Sequence, residues 1–199
     1  LFYPVMIEGI RLAKNLGFRA GIVSNGYWST CVEDAELWLS PLAELGISDL
    51  SISDDTLHYG DRKNSPAKCA LAAAKALGLP TASISKAKPQ VQDGPDLGLG
   101  KGTPEISGGI KLRGRAVEKF AEGLPTRKCE ELNSCPYEDL IDPKRVHVDS
   151  YGTVQICQGI SMGNCWDTPL SELVGDYDSQ KHPICGPLVR GGPIGLVEE

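Results

Sequence analysis

Helix-period and strand-period segments alternate from residue 4 to residue 87, with only short connections between them. Residues 4–17 place Val5, Met6, Ile10, Leu12, Ala13 and Leu16 at helical spacing, and Gly17 stops the pattern. RAGIVSNG (19–26) is a short apolar run closing in a turn, which predicts a buried strand. A second helix is predicted over 32–45, ended by Gly46, and DLSISDD (49–55) follows as a strand. SPAKCALAAAKALG (65–78) has Ser65 to cap a helix, Pro66 at its first position and Gly78 at its stop. TASISKA (81–87) is a third strand. Short-linked alternation of this kind predicts parallel βαβ units, because parallel neighbours need a crossover and a helix is the compact one. In such folds ligands sit at the carboxyl ends of the strands. Polar residues collect there: Ser24 and Asn25, then Ser53, Asp54 and Asp55, then Ser85 and Lys86.

The pattern then loosens. Residues 88–109 are rich in Gly and Pro and read as a long loop, a candidate for substrate contact. GIKLRGRA (109–116) reads as a strand and AVEKFAEGL (116–124) as a short helix. From residue 125 onward helical periodicity fades and cysteines appear, so the chain divides into regions 1–124 and 125–199. In the second region RVHVDSYGTVQIC (145–157) is two alternating strands around the turn DSYG, PLSELVGDY (169–177) is a short helix, and HPICGPLVRGGPIGL (182–196) reads mostly as coil.

A net charge of −6 without any Lys- or Arg-rich run argues against a nucleic-acid partner. No apolar run reaches membrane-spanning length and no signal peptide is present, which predicts a cytoplasmic protein without a membrane partner. The start LFYPVMIEGI lacks an initiator Met and enters a helical pattern at once, as expected of a chain cut from something longer.

Seven cysteines without a secretory signal do not read as a disulfide framework. Cys31 and Cys69 stand apart, and Cys129, Cys135, Cys157, Cys165 and Cys185 crowd the last third. Cys135 precedes the predicted hairpin, Gly152 sits in its turn and Cys157 ends its second strand. A hairpin that brings its entry and exit together would present two thiolates, half of a tetrahedral sulfur site. Cys165 and Cys185 can supply the other half, with Cys129 as a rival fourth ligand. The plainer alternative is that these are buried small hydrophobes. Spacing alone does not separate zinc from an iron–sulfur cluster.

These residues together resemble the radical S-adenosylmethionine (radical SAM) superfamily, and the C-terminal part resembles its SPASM/twitch extension. Cys135, Gly152 and Cys157 carry the cysteine, gap, glycine, four residues, cysteine pattern, and Gly163-Asn164 match the glycine-asparagine step after it. VSNG (23–26) looks like the third barrel strand, SISDD (51–55) like the fourth and GIKLRGRA like the sixth. The resemblance implies a partial (β/α) barrel of the TIM type, later strands only, followed by a small cysteine-rich region with one auxiliary 4Fe–4S cluster. It implies S-adenosyl-L-methionine as cofactor, cleaved to a 5′-deoxyadenosyl radical that takes hydrogen from a small-molecule or peptide substrate. A reductant such as flavodoxin or ferredoxin is the implied partner. The CxxxCxxC loop that binds the catalytic cluster and the Gly-Gly-Glu-Pro motif are both missing. The expectation is that the chain lacks about the first third of its parent and is inactive alone.

By the same resemblance Ser24 and Asn25 lie near the cofactor, and Ser53, Asp54 and Asp55 near its ribose. For the aspartates, helix capping or turn formation is the alternative. Arg113 and Arg115, alternating on a strand, would clamp the cofactor carboxylate, and solvent exposure is the alternative. His58 is a candidate for substrate contact, whereas His147, Tyr27 and Trp28 read as structural. Gly159 and Gly163 would let the backbone fold tightly around the cluster, with Asn164 bonding back into that loop. A small zinc-binding structural or interaction protein with an α/β half is the competing reading.

Overall fold

The computed structural model describes residues 2–60, 63–93, 104–135 and 138–198. The chain is mixed α/β and divides into two compact units, Leu1–Pro125 and Thr126–Glu199.

The first unit runs α1 (Tyr3–Asn15), β1 (Gly21–Ser24), α2 (Val32–Glu44), β2 (Asp49–Ser53), α3 (Thr56–Tyr59), α4 (Pro66–Ala76) and β3 (Thr81–Ile84). The three strands form a parallel sheet in the order β1-β2-β3. Among the described residues this sheet is open and does not close into a barrel. Successive crossovers in one direction put their helices on one face, and α2 and α4 do pack against each other. The approach is close because α4 presents Ala67, Ala70, Ala73 and Ala74, all fully buried, to Ala35, Leu39 and Leu42 of α2. Pro66 and the Ser65 hydroxyl, which accepts the Lys68 N–H, start α4 where the sequence predicts.

The central strand β2 alternates in burial: Leu50 and Ile52 face the helices, while Asp49, Ser51 and Ser53 face away. Leu50 is only 1% exposed and packs in this core. Leu50→Ala is expected to cost about 3 kcal/mol, the transfer and cavity terms of a buried leucine. Urea unfolding followed by far-ultraviolet circular dichroism would measure it.

Two readings of this unit need correction. Residues 88–109 are not loop throughout: β4 (Gln90–Asp93) and β5 (Pro104–Ser107) pair antiparallel, and residues 94–103 lie outside the described residues. GIKLRGRA is not a strand. Gly114, at φ +50, caps α5 (Arg115–Phe120), so Arg115 opens a helix while Arg113 precedes it. The two arginines therefore do not share one strand face.

The second unit contains a 3₁₀ turn (Cys129–Glu131), β6 (His147–Val148), β7 (Thr153–Cys157), β8 (Ile160–Asn164), α6 (Leu170–Gly175) and α7 (Cys185–Glu198). The predicted hairpin is β6–β7, turned by DSYG, where the Asp149 carboxylate accepts the N–H groups of Tyr151 (2.9 Å) and Thr153 (3.0 Å). His147 pairs with Gln155 in this ladder. β8 adds a third antiparallel strand, which takes up Gly163 and Asn164. A Cβ on Gly163 would meet Leu173 of α6 at 2.7 Å, so this glycine admits a helix rather than wrapping a cluster. Asn164 bonds to the DSYG turn through Tyr151 O (2.9 Å) and not to the turn after Cys157.

The tail read as coil is the helix α7. It is two helical stretches joined at Gly192, whose φ of +66 and ψ of −161 are open to glycine alone. Pro187 and Pro193 each fall in the first turn of a stretch, where a missing N–H is harmless.

Candidate functional site

In the first unit, Ser24, Asn25, Asp54 and Asp55 of the nominated residues line two separate depressions. Ser24 and Ile52 are register partners, so Ser24 points to the helical side of the sheet and Ser53 to the other. The Ser24 hydroxyl accepts Trp28 Nε1–H at 2.8 Å and the Gly26 N–H at 3.1 Å. The Asn25 side chain accepts the Tyr27 N–H, and its backbone carbonyl accepts the Tyr59 hydroxyl. Ser24 and Asn25 line a cavity of about 390 Å³ with Tyr3, Trp28 and Trp38. Tyr27 stacks edge-on against Tyr59, 5.0 Å between centroids, and Trp28 packs near Trp38 while also lining this cavity.

Asp54 and Asp55 line a second depression of about 450 Å³ with Lys68, Ser85 and Lys86. Both carboxylates have local work. Asp54 accepts the Ser65 hydroxyl at 2.8 Å. Asp55, 8% exposed, caps α3 through the N–H groups of Leu57 and His58, meets His58 Nδ1 at 2.8 Å, and accepts Lys86 N–H at 3.1 Å. Burial pushes the Asp55 carboxyl up, but these hydrogen bonds and the His58 charge outweigh it and hold the group below the usual carboxylate range. A lowered folded pKa stabilises the fold above the unfolded value near 3.9, and the contribution is lost as pH falls through the folded value. The stability advantage of the wild type over Asp55→Asn is therefore expected to be full at pH 7 and absent in strong acid. Thermal unfolding of both proteins across that range checks it.

All seven cysteines are thiols. The second unit brings two of the nominated ones together, with a third within electrostatic reach. Cys185, fully buried at the start of α7, and Cys157, 7% exposed at the end of β7, belong to one core cluster with Leu140, Ile156 and Leu188. Cys135 and Cys157 lie close enough to Cys185 for their charges to be felt there. Burial pushes the Cys185 thiol up, the Tyr177 phenol pulls it back, and Cys157 and Cys135 add to the rise. The Arg145 guanidinium, held by Glu138 at 2.8 Å, lies within electrostatic reach of Cys157.

Cys165 is not part of this group. Cys157 opposes Ile160 at one end of the β7–β8 ladder, while Thr153 opposes Asn164 at the other. The Cys165 N–H bonds Gly152 O beyond that far end. At about 3.3 Å per residue, this puts Cys165 about 15 Å along the strand from Cys157. Cys129 is exposed on the 3₁₀ turn, which packs against α7.

The donors are of the kind that bind a soft metal or an iron–sulfur cluster: Cys157 and Cys185 at one apolar core, with Cys135 within electrostatic reach. As the side chains stand, no three His, Cys, Asp or Glu among the described residues are set to grip an ion.

Two contributors to this site lie outside the residues nominated from the sequence. His182 Nδ1 accepts the N–H groups of Ile184 and Cys185 at 3.1 Å each, and Nε2 meets Ser161 O at 2.9 Å, which fixes the start of α7. Tyr177 donates to Leu140 O at 2.7 Å across a gap of 37 residues. The His182 role is latent in the HPIC spacing, whereas the Tyr177 contact is a product of the fold.

The chain matches no protein-family model and no curated protein sequence. No helix among the described residues is long and apolar enough to cross a membrane.

Proposed function

We propose that the second unit binds an auxiliary 4Fe–4S cluster through Cys135, Cys157 and Cys185, and that the chain is part of a radical SAM enzyme. The observation that carries the reading is that Cys157 and Cys185, far apart in sequence, meet at one apolar core, with Cys135 within electrostatic reach of Cys185. Free cysteine is often buried as a small hydrophobe, but Cys157 and Cys185 share one core with Tyr177 packed on it and Arg145 within electrostatic reach of Cys157, which makes them candidate donors. Cys129 is the remaining candidate for a fourth protein ligand, since the β7–β8 ladder holds Cys165 away.

The first unit supports the same reading at a coarser level. Its parallel strands, with helices on one face and polar residues at the carboxyl ends, are what the later part of a (β/α) barrel requires. Ser53 and Asp54 would meet the S-adenosyl-L-methionine ribose, with Asp55 holding the rim by capping α3, whereas Ser24 and Asn25 line the separate cavity on the helical side. Lys68 and Lys86, which line the same depression as Asp54, suit a carboxylate better than Arg113 and Arg115, which do not share a strand. When bound and cleaved, S-adenosyl-L-methionine supplies a 5′-deoxyadenosyl radical for hydrogen abstraction. The CxxxCxxC loop needed for cleavage is not in these 199 residues, so the activity proposed for them is cluster and cofactor binding. A small molecule or peptide as substrate, and flavodoxin or ferredoxin as reductant, belong to the same proposal.

Iron, zinc and acid-labile sulfide are to be measured after anaerobic purification and reconstitution. About four irons and four sulfides per chain support the reading. One zinc without sulfide replaces it with the zinc-binding structural protein, and no metal at all removes both.

A further inference from the structure

The cavity of about 390 Å³ that Ser24 and Asn25 line lies between α1, β1 and α2. Leu39, Leu42 and Leu50, each no more than 3% exposed, form its apolar floor. Three aromatic rings, Tyr3, Trp28 and Trp38, line it as well. Rings of this size ordinarily fill a core. Here their own bonds hold them around an open space. The Tyr3 hydroxyl donates to the Trp38 carbonyl at 2.6 Å, and the two rings meet edge-on, 4.8 Å between centroids. Trp28 is tied by its Nε1–H to Ser24 at 2.8 Å. An apolar cavity left empty deprives its walls of contacts, so walls braced in this way favour an occupant.

The polar end limits what that occupant is. The Ser24 hydroxyl accepts from Trp28 and from the Gly26 N–H, which uses both lone pairs and leaves its hydrogen to donate. The Asn25 side-chain oxygen accepts the Tyr27 N–H, and among the described residues its NH2 group has no partner. No charged side chain among the described residues lines the cavity. We propose that it binds a neutral, flat aromatic molecule whose carbonyl oxygen, or an equivalent acceptor, takes hydrogen bonds from Ser24 and Asn25 while its ring lies among Tyr3, Trp28 and Trp38. The volume falls in the lower part of the range of small-molecule sites, about 300–1,000 Å³. A carboxylate is disfavoured, because no cation lines the walls and a buried unpaired charge is costly. A plain hydrocarbon leaves the Ser24 and Asn25 donors without an acceptor. The site lies apart from the depression at Asp54 and does not depend on the cluster reading.

The chain carries its own reporters. Of its three tryptophans, Trp28 and Trp38 line the cavity and Trp166 lies in the second unit. The test titrates the full nitrogen-15-labelled chain with acetophenone, ethylbenzene and benzoate and follows the three indole N–H resonances. Acetophenone is expected to shift Trp28 and Trp38 saturably and to leave Trp166 in place, and benzoate to shift none of them over the same range. Ser24→Ala is expected to weaken acetophenone about fivefold, the effect of one hydrogen bond, and to leave ethylbenzene unchanged. Asn25→Ala, at an exposed position, makes the same comparison should Ser24→Ala not fold. Absence of a saturable shift, or a Trp166 shift in step with the other two, overturns the site. Equal binding of benzoate, or an equal effect of the substitution on ketone and hydrocarbon, overturns the assigned chemistry. Metal content enters none of these readouts, so failure here leaves the cluster reading standing.

Discussion

Cys157→Ser is expected to reduce iron and sulfide from about four each per chain to background, while Cys165→Ser leaves both unchanged. The contrast follows from one ladder. β7 carries Cys157 into the core beside Cys185, and the register with β8 places Cys165 beside Gly152 at the other end. Sulfurs on one metal must lie within a few ångströms, since a Zn–S bond is about 2.3 Å and clusters are similarly compact. A separation of about 15 Å along an ordered strand does not allow it. Serine is the useful replacement because its size keeps the core filled while its neutral hydroxyl is a poor ligand. Metal analysis of the two variants beside wild type decides the matter. Loss of iron in Cys165→Ser with retention in Cys157→Ser would overturn the assignment.

The second large effect is expected at Gly192, where alanine should cost the second unit about 3 kcal/mol. Two causes add. The backbone there is φ +66 and ψ −161, which a side chain disfavours. A Cβ would also lie 2.2 Å from Ser134 N and 2.3 Å from Asn133 C, backbone atoms that cannot rotate away. The Ile194 N–H bonds Leu132 O next to this contact. Relief of the clash must push α7 away from residues 132–134, and so part Cys185 from Cys135. Denaturant unfolding should show the loss, and the variant should load metal less well than Gly191→Ala, where an added Cβ meets nothing within 4 Å. Equal stability of the two variants would refute the argument.

The elements of the first unit were legible because their signals are local. Gly17, Gly46 and Gly78 stop helices where the periodicity ends, and Ser65-Pro66 starts one. The DSYG turn was legible for the same reason, since Asp149 bonds to residues two and four positions on. Local signals also misled. The Pro and Gly residues of the tail read as breakers, but each proline sits in a first helical turn and Gly192 supplies the single kink. The alternation in LRGRA imitated a strand, whereas Gly114 takes a positive φ and caps a helix.

The sequence by itself determined a parallel βα half, a β-hairpin ending at Cys157 and a surplus of thiols in one region, since propensity, capping and turn chemistry act between near neighbours. Tertiary structure decided which of those thiols meet. β7 and α7 bring Cys157 and Cys185 to one core and leave Cys165 outside, and Tyr177 reaches Leu140 across 37 residues. Contacts of that span follow from how elements pack around a shared core, and no pattern within a window of neighbours encodes them.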